Sequence, residues 1–330
     1  MRAIFLCNRE SDVRRVYHAD TVARLQSLCE LDDSIYASAD LAEIPTDTEI
    51  VFSTWGMPCL TEAQIRAYLP RLQAVFYAAG SVQAFARPLL ASGVRVFSAW
   101  QANAVPVAEY TLAQILLANK GFFAQARLLS EQKLPESHAR KSAYLGNYRQ
   151  SVGLIGCGSI GSLVAIALQS YELDVLVYDP YLSDKRAAAL GVARCSLDEL
   201  FQRCSVVSNH LPNNAETRGM LTYAQFSRML PYATFLNTGR GAQVVEDDLV
   251  RALSERPDLT TILDVTDPEP SPLGHPFYTL PNCILTPHIA GSIGNEVWRM
   301  SAYMADELAR YVSGAPTRFE VTASMLGTMA

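Results

Sequence analysis

The sequence predicts an α/β fold with two doubly wound parallel sheets, and three observations carry that prediction. Short apolar runs alternate with helix-like stretches from Arg2 to Ala99, the alternation restarts at Ser151, and one long apolar stretch separates the two series. Apolar runs of this length between helices suit parallel strands joined by crossovers. Such series build sheets covered by helices on both faces. The 330 residues suffice for two domains at roughly 150 residues each.

In the first series the expected strands are residues 3–6, 50–52, 74–77 and 94–97, with helices around residues 13–28 and 62–69. Asn103-Ala104-Val105-Pro106 then reads as an N-cap and a first-turn proline opening a helix over residues 106–128. Val107, Tyr110, Leu112, Ile115, Leu116, Leu117, Phe122 and Phe123 leave it no single apolar stripe. Another domain or another copy of the chain must therefore cover it. In the second series the expected strands are residues 152–155, 175–178, 205–208, 234–236, 261–263 and 283–285, with a proline-rich loop over residues 267–281. A closing helix over residues 292–312 is long enough to return to the first domain. That domain is then discontinuous, residues 1–101 and 299–330, around a second domain of residues 102–298.

Composition narrows the function. A chain that is 49% hydrophobic is not disordered, and 27 Lys and Arg against 33 Asp and Glu, a formal net charge of -6, disfavour an electrostatic nucleic-acid binder. The apolar runs stop far short of the roughly 20 residues that span a bilayer. Five apolar residues between Arg2 and Asn8 are too few for a signal peptide. A soluble, cytoplasmic protein without nucleic-acid or membrane partners is expected. Seven scattered cysteines with no C-x-x-C fit reduced thiols, and five histidines without zinc spacing give no reason to expect a metal.

The most specific local signal is Val152-Gly153-Leu154-Ile155-Gly156-Cys157-Gly158-Ser159-Ile160-Gly161, an apolar strand running into G-x-G-x-x-G and then an apolar helix. Gly156 permits the tight turn, Gly158 lets backbone approach a pyrophosphate, and Gly161 lets helix and strand pack closely. The pyrophosphate would sit on the helix N-terminus beside Cys157, Ser159 and Ile160, where unpaired N–H groups and the helix dipole favour an anion. A lone glycine-rich turn has the same look. Here the next strand also ends on Asp179, eighteen residues after Gly161, where a carboxylate accepts from adenosine ribose hydroxyls. Pro180-Tyr181 follows, with no arginine to receive a 2′-phosphate, so NAD(H) is expected over NADP(H).

Further motifs follow in order: Val207-Ser208-Asn209-His210-Leu211-Pro212 with Glu216-Thr217-Arg218-Gly219, Leu236-Asn237-Thr238-Gly239-Arg240-Gly241, Leu263-Asp264-Val265 with Glu269-Pro270, and Leu285-Thr286-Pro287-His288-Ile289-Ala290-Gly291. With the glycine turn and Asp179, this series resembles the NAD-dependent D-isomer-specific 2-hydroxyacid dehydrogenase family, from Ala78 to Met300; the first seventy residues match in pattern only. The resemblance implies a Rossmann NAD-binding domain inserted into a flavodoxin-like substrate domain. It implies that Arg240 binds the carboxylate and carbonyl of a 2-oxo acid, that His288 is the acid/base, and that Glu269 pairs with His288. Arg240 to Glu269 is 29 residues, which fits the family, and Glu269 to His288 is 19, among its shorter spacings.

These residue types suit the chemistry. Reducing a keto carbon builds negative charge on oxygen, which needs a proton. Histidine titrates near neutrality, and a neighbouring carboxylate favours its charged, donating form. Arginine's planar fork holds a carboxylate by two hydrogen bonds. Taken singly, each residue also has a plain reading: His288 as a strand-end cap, Arg240 as a solvated turn charge, Glu269 as an exposed loop acid. Their order beside a dinucleotide motif favours the catalytic one.

The resemblance extends the cofactor set to His210, Leu211, Pro212, Thr217, Thr238, Gly239, Arg240, Asp264, His288 and Gly291, and the substrate set to Ala79, Gly80 and Ser81 with Trp55 as a wall. His210 either lines a cofactor edge or is structural. Asp264 either contacts the nicotinamide amide, supports a residue that does, or caps its strand. Trp55 either walls the side-chain pocket or packs. Tyr144 is a candidate to face a partner subunit's active site. The expected function is hydride transfer between NAD(H) and a small 2-oxo acid/D-2-hydroxy acid pair, glyoxylate or hydroxypyruvate first, in a cleft between the domains of a homodimer. The alternative is an NAD(H)-sensing corepressor or scaffold of the same fold.

Overall fold

The computed structural model describes residues 1–327. Strands β1 (Arg2–Leu6), β2 (Glu30–Tyr36), β3 (Ile50–Ser53), β4 (Ala74–Tyr77) and β5 (Arg95–Ser98) come first. After them come β6 (Ser151–Ile155), β7 (Asp174–Tyr178), β8 (Ala193–Arg194), β9 (Val206–Asn209), β10 (Thr234–Asn237), β11 (Thr260–Leu263), β12 (Cys283–Leu285) and β13 (Glu320–Val321). The chain forms two compact units, Met1–Asn103 with the chain from Ser292 onward, and Ala104–Gly291.

In the first unit the sheet order is β13-β5-β4-β3-β1-β2, parallel except for β13. Without β13 this is the flavodoxin-like order. Register places Phe5 beside Phe52, Phe52 beside Phe76 and Phe76 beside Phe97, so four buried rings cross the sheet as a ladder. Truncating any of them to alanine costs about 3–5 kcal/mol in such a core. The closing helix, Val297–Ser313, lays Met300, Met304 and Leu308 into the same core. The helix expected over residues 13–28 is two, Glu10–Val16 and Ala19–Leu28, because the chain turns at His18, whose ring caps the second by accepting from the Asp20 N–H.

In the second unit the order is β12-β11-β10-β9-β6-β7-β8, parallel throughout, the Rossmann order with one strand added beyond β11. The two-residue β8 makes the sheet seven-stranded where six strands were expected. The long apolar helix also differs from expectation. It runs Trp100–Asn119, with Pro106 inside it and Asn103 not a cap. The helix tolerates the single hydrogen bond that proline cannot make. It ends before Gly121, which sits in the left-handed region at φ 65, and Phe122–Ser130 and Leu134–Lys141 continue as separate helices. Among the described residues no helix is long and apolar enough to cross a membrane.

Candidate active site

The order of the second sheet reverses between β6 and β9, which makes a crevice beyond the carboxyl ends of those strands. The turn after β6 is glycine by necessity. Gly156 has φ +88, and a Cβ there would stand 2.9 Å from the His210 carbonyl oxygen; a Cβ on Gly161 would stand 2.1 Å from the Gly156 carbonyl oxygen. At Gly158 a Cβ would meet nothing within 4 Å, so the cradle is open where a phosphate would lie. Helix Ser159–Leu168 starts there without a side-chain cap. The first-turn N–H groups of Ser159 and Ile160 thus lack intrahelical partners and would suit an anion.

Asp179, just past β7, closes on this turn. Its carboxylate accepts from the Cys157 N–H at 2.7 Å and the Tyr181 N–H at 2.8 Å. One arginine does return to this turn: Arg186, on helix Asp184–Leu190, folds back to donate to Ser162 Oγ at 2.8 Å and the Cys157 carbonyl at 3.3 Å. The residues after Asp179 give no hint of it because it returns from the next helix.

His210, at the end of β9, is 8% exposed. Its Nε2 meets Ser208 Oγ at 2.9 Å, and its Nδ1 has no protein partner beside the glycine turn. That orphan atom, the open Gly158 and the uncapped helix are what a dinucleotide site requires. Burial pushes the ring's pKa down from 6.5 to about 4, so His210 is neutral near pH 7 and is no acid catalyst. Because the fold favours the neutral ring, its contribution to stability is full above pH 6.5 and is lost as pH falls towards 4, by about 3 kcal/mol in all. Thermal midpoints of the apo protein and of His210→Gln should therefore draw together on acidification; a constant gap would contradict this.

Three amide side chains that sequence reasoning passed over hold the loops. Gln243, fully buried, donates to the carbonyls of Leu211 and Pro212 and accepts from Asn209 Nδ2 and the Arg240 N–H. Asn237 accepts from Asn209 and the Gly239 N–H and donates to the Arg240 carbonyl. Amides at successive strand ends were the available signal. Thr217 spends its hydroxyl on the Pro212 carbonyl, and the Thr238 hydroxyl meets that of Thr111 at 3.3 Å.

Past β12 the chain turns at His288, which has φ +54. Asp264, 2% exposed, holds this turn by accepting from the Ile289 and Ala290 N–H groups, each at 2.8 Å, and from Thr286 Oγ1 at 2.6 Å. Its carboxylate supports the loop that ends at Gly291. His288 Nδ1 lies 2.6 Å from Glu269 Oε1. With Nδ1–H donating to the carboxylate, Nε2 is left for the acid/base role. The two side chains are 45% and 40% exposed, so a small molecule reaches them. Arg240 donates through Nη1 to the Gly239 carbonyl at 2.7 Å. Burial draws its pKa below the ordinary value and the Glu269 carboxylate opposes that, which places the two charges near one another. Arginine remains charged in such a site.

The other candidates belong to the first unit, beyond the carboxyl ends of β3 and β4. The Trp55 carbonyl accepts from Cys7 Sγ, and Arg15 lies 5.2 Å over the Trp55 ring. Ser98 Oγ binds the carbonyls of Ala79 and Gly80 and fixes the turn that exposes Ser81. Tyr144, in the second unit, packs edge-on against Tyr232 and fills the space above Gly121, so its observed contacts are internal.

Residues 112–290, more than half of the chain, match the D-isomer specific 2-hydroxyacid dehydrogenase, NAD binding domain family. The chain belongs to this family. The matched span contains the glycine turn, Asp179, His210, Arg240, Glu269 and His288, and the cofactor of that domain is NAD. The D-3-phosphoglycerate dehydrogenase of Mycobacterium tuberculosis is 30% identical over 256 residues, which cover 77% of this chain and 47% of that protein. The chain thus spans about half the length of the curated relatives it matches. Among solved structures, Rhodotorula graminis D-mandelate dehydrogenase aligns with TM-score 0.80 and 20% identity over 97% of each chain. A phosphoglycerate oxidoreductase from Rhizobium etli aligns with TM-score 0.79 and 20% identity over 98% of this chain and 99% of that one. These two show the shared 2-hydroxyacid dehydrogenase fold.

Proposed function

We propose that the protein interconverts a small 2-oxo acid and its D-2-hydroxy acid with NAD(H), with glyoxylate and hydroxypyruvate as the first substrates to try. The observation that carries this reading is the 2.6 Å contact between His288 Nδ1 and Glu269, with the partly buried Arg240 nearby and within an NAD-binding domain. NAD(H), which the glycine turn and Asp179 would hold, would supply the hydride. His288 gives a proton from Nε2 to the carbonyl oxygen, and Glu269 stabilises the imidazolium that donates it. Arg240 holds the acid's carboxylate and orients the keto group. Asp264 keeps the His288 turn in place. We assign residues 1–101 and 299–330 to substrate binding, with Ala79, Gly80 and Ser81 as the carboxylate loop and Trp55 as the side-chain wall. These two small, unphosphorylated acids are preferred because the sequence offers no basic cluster that reads as a phosphate pocket. Chiral analysis of the product made from a prochiral 2-oxo acid tests the reading: the D-isomer supports it, and the L-isomer or a racemate counts against it.

On the same reading Asp179 takes hydrogen bonds from the adenosine ribose. A 2′-phosphate would bring two negative groups together, so kcat/KM should be clearly higher with NADH than with NADPH, and Asp179→Ala should narrow the gap. Equal efficiency in the wild type would contradict the assignment.

Assembly as a homodimer built on the second unit is part of the proposal. Leu117, Phe122, Leu129, Leu134, Leu145 and Tyr148 are exposed within one short span of that unit, a density of apolar surface that a second copy would cover. Light scattering at micromolar concentration should give twice the chain mass, and a monomeric mass would contradict it.

A further inference from the structure

Whether Glu269 meets His288 depends on the loop of residues 267–275. That loop is held by the Tyr278 hydroxyl on the Ser271 carbonyl, by the Thr266 hydroxyl on the Pro268 carbonyl and by the Arg218–Asp267 ion pair, and by one further side chain. The loop carries prolines at 268, 270 and 272 and a glycine at 274, and Leu273 is fully exposed. Both ends of the loop, however, meet one side chain. Glu246, in the first turn of helix Glu246–Glu255, accepts the Asp267 N–H on Oε1 at 2.9 Å and faces His275 Nε2 with Oε2 at 3.6 Å. The two side chains are only 13% and 16% exposed. His275 Nδ1 accepts from the Phe277 N–H at 3.3 Å, so the hydrogen of the neutral ring sits on Nε2, on the side of the carboxylate.

A charge in this position is costly unless it is paired and hydrogen-bonded. Burial pushes the Glu246 carboxyl above its ordinary pKa, the nearby Asp267 and Asp247 carboxylates push the same way, and the Asp267 N–H and His275 oppose them. Cys283 lies within electrostatic reach. A helix needing only an acidic first turn has Asp247 and Asp248 for that purpose. The loop is also seated tightly at its start: a Cβ on Gly241, next to Arg240, would stand 2.0 Å from the Thr266 carbonyl carbon. A small slip of the loop would therefore disturb Glu269 and the neighbourhood of Arg240 together.

We propose that Glu246 is a positioning residue for the proton relay: one partly buried carboxylate clasps both ends of the loop of residues 267–275 and so sets Glu269 on His288 Nδ1. The proposal rests on the dehydrogenase reading for its purpose but not for its test, because the His288–Glu269 contact can be followed without substrate.

The experiment is an NMR titration of ring-labelled histidine in the full chain, with the His288 signal assigned by its loss in His288→Ala. Glu269→Gln removes the charge beside the ring and should move the His288 titration to lower pH. Glu246→Ala should move it the same way by at least half as much, and should add nothing when combined with Glu269→Gln. Glu246→Gln still accepts the Asp267 N–H but turns an NH2 toward the His275 Nε2–H, so it should shift the titration less than Glu246→Ala and in the same direction. If Glu246→Ala does not fold, His275→Leu opens the other end of the clasp and should give the same direction of shift. An unchanged titration in the folded variants, or a further shift on top of Glu269→Gln, would overturn the proposal. A chain that reduces no 2-oxo acid would defeat the functional reading and still leave this titration to be measured. With an active enzyme, the alkaline limb of kcat/KM should follow the same order of variants, whereas a merely structural role would lower the melting temperature and leave that limb in place.

Discussion

His288→Ala should lower kcat by about 10²- to 10⁴-fold, the usual worth of a positioned general acid. On the proposed mechanism the imidazole delivers a proton as the keto oxygen gains charge, and Glu269 holds it through Nδ1 with Nε2 left free. NADH affinity should stay close to wild type, because the glycine turn and Asp179 are built from β6, β7 and their turns, not from the loop after β12. Single-turnover kinetics with a fluorescence titration of NADH separates the two effects. A fully active His288→Ala would rule out this acid, and a variant that no longer binds NADH would show that the residue does something else.

Arg240→Ala should raise KM for the 2-oxo acid and also lower kcat, with a loss in kcat on the order of 10²- to 10³-fold if the guanidinium stabilises the developing alkoxide as other oxyanion donors do. The partly buried position strengthens the effect, since a fork partly withdrawn from water interacts more strongly with an anion than the same group fully solvated. Arg240→Lys should recover little, because an ammonium cannot make the planar two-point contact. A change confined to KM would mean that Arg240 only binds substrate, and no change in either constant would remove it from the site.

Much of the second unit was legible because its signals are local. Strands β6, β7, β10, β11 and β12 are apolar runs with sharp ends, and the glycine turn, Asp179 and the order Arg240, Glu269, His288 are fixed by sequence spacing. What escaped was set by tertiary contact. β2 has the sequence ELDDSIY, with no apolar run, and is a strand because it pairs with β1 at the sheet edge, where charges are tolerated and guard against edge pairing. β13 is two residues long and depends on its pairing with β5 and on the Arg95–Glu320 ion pair. The helix break at Gly121 was hidden inside a continuous apolar pattern, where a single glycine is usually tolerated.

In the candidate site, the residues proposed to carry the chemistry stand out by sequence spacing, and several that hold them do not. Gln243 bonds the backbone carbonyls of Leu211 and Pro212, Asn209 bonds the side chains of Asn237 and Gln243, and Arg186 reaches the Cys157 carbonyl, all partners distant in sequence. For Asp264 the sequence left three readings open, and its carboxylate is engaged with the loop that carries His288.

The measurement that tests the central claim most directly is steady-state NADH oxidation by the wild-type protein across a panel of 2-oxo acids, from glyoxylate and hydroxypyruvate to pyruvate and larger acids. The account predicts saturable NADH consumption with at least one small 2-oxo acid and formation of the corresponding 2-hydroxy acid. Tight NADH binding with no turnover on any member of the panel would contradict it and would favour a dinucleotide-sensing scaffold instead.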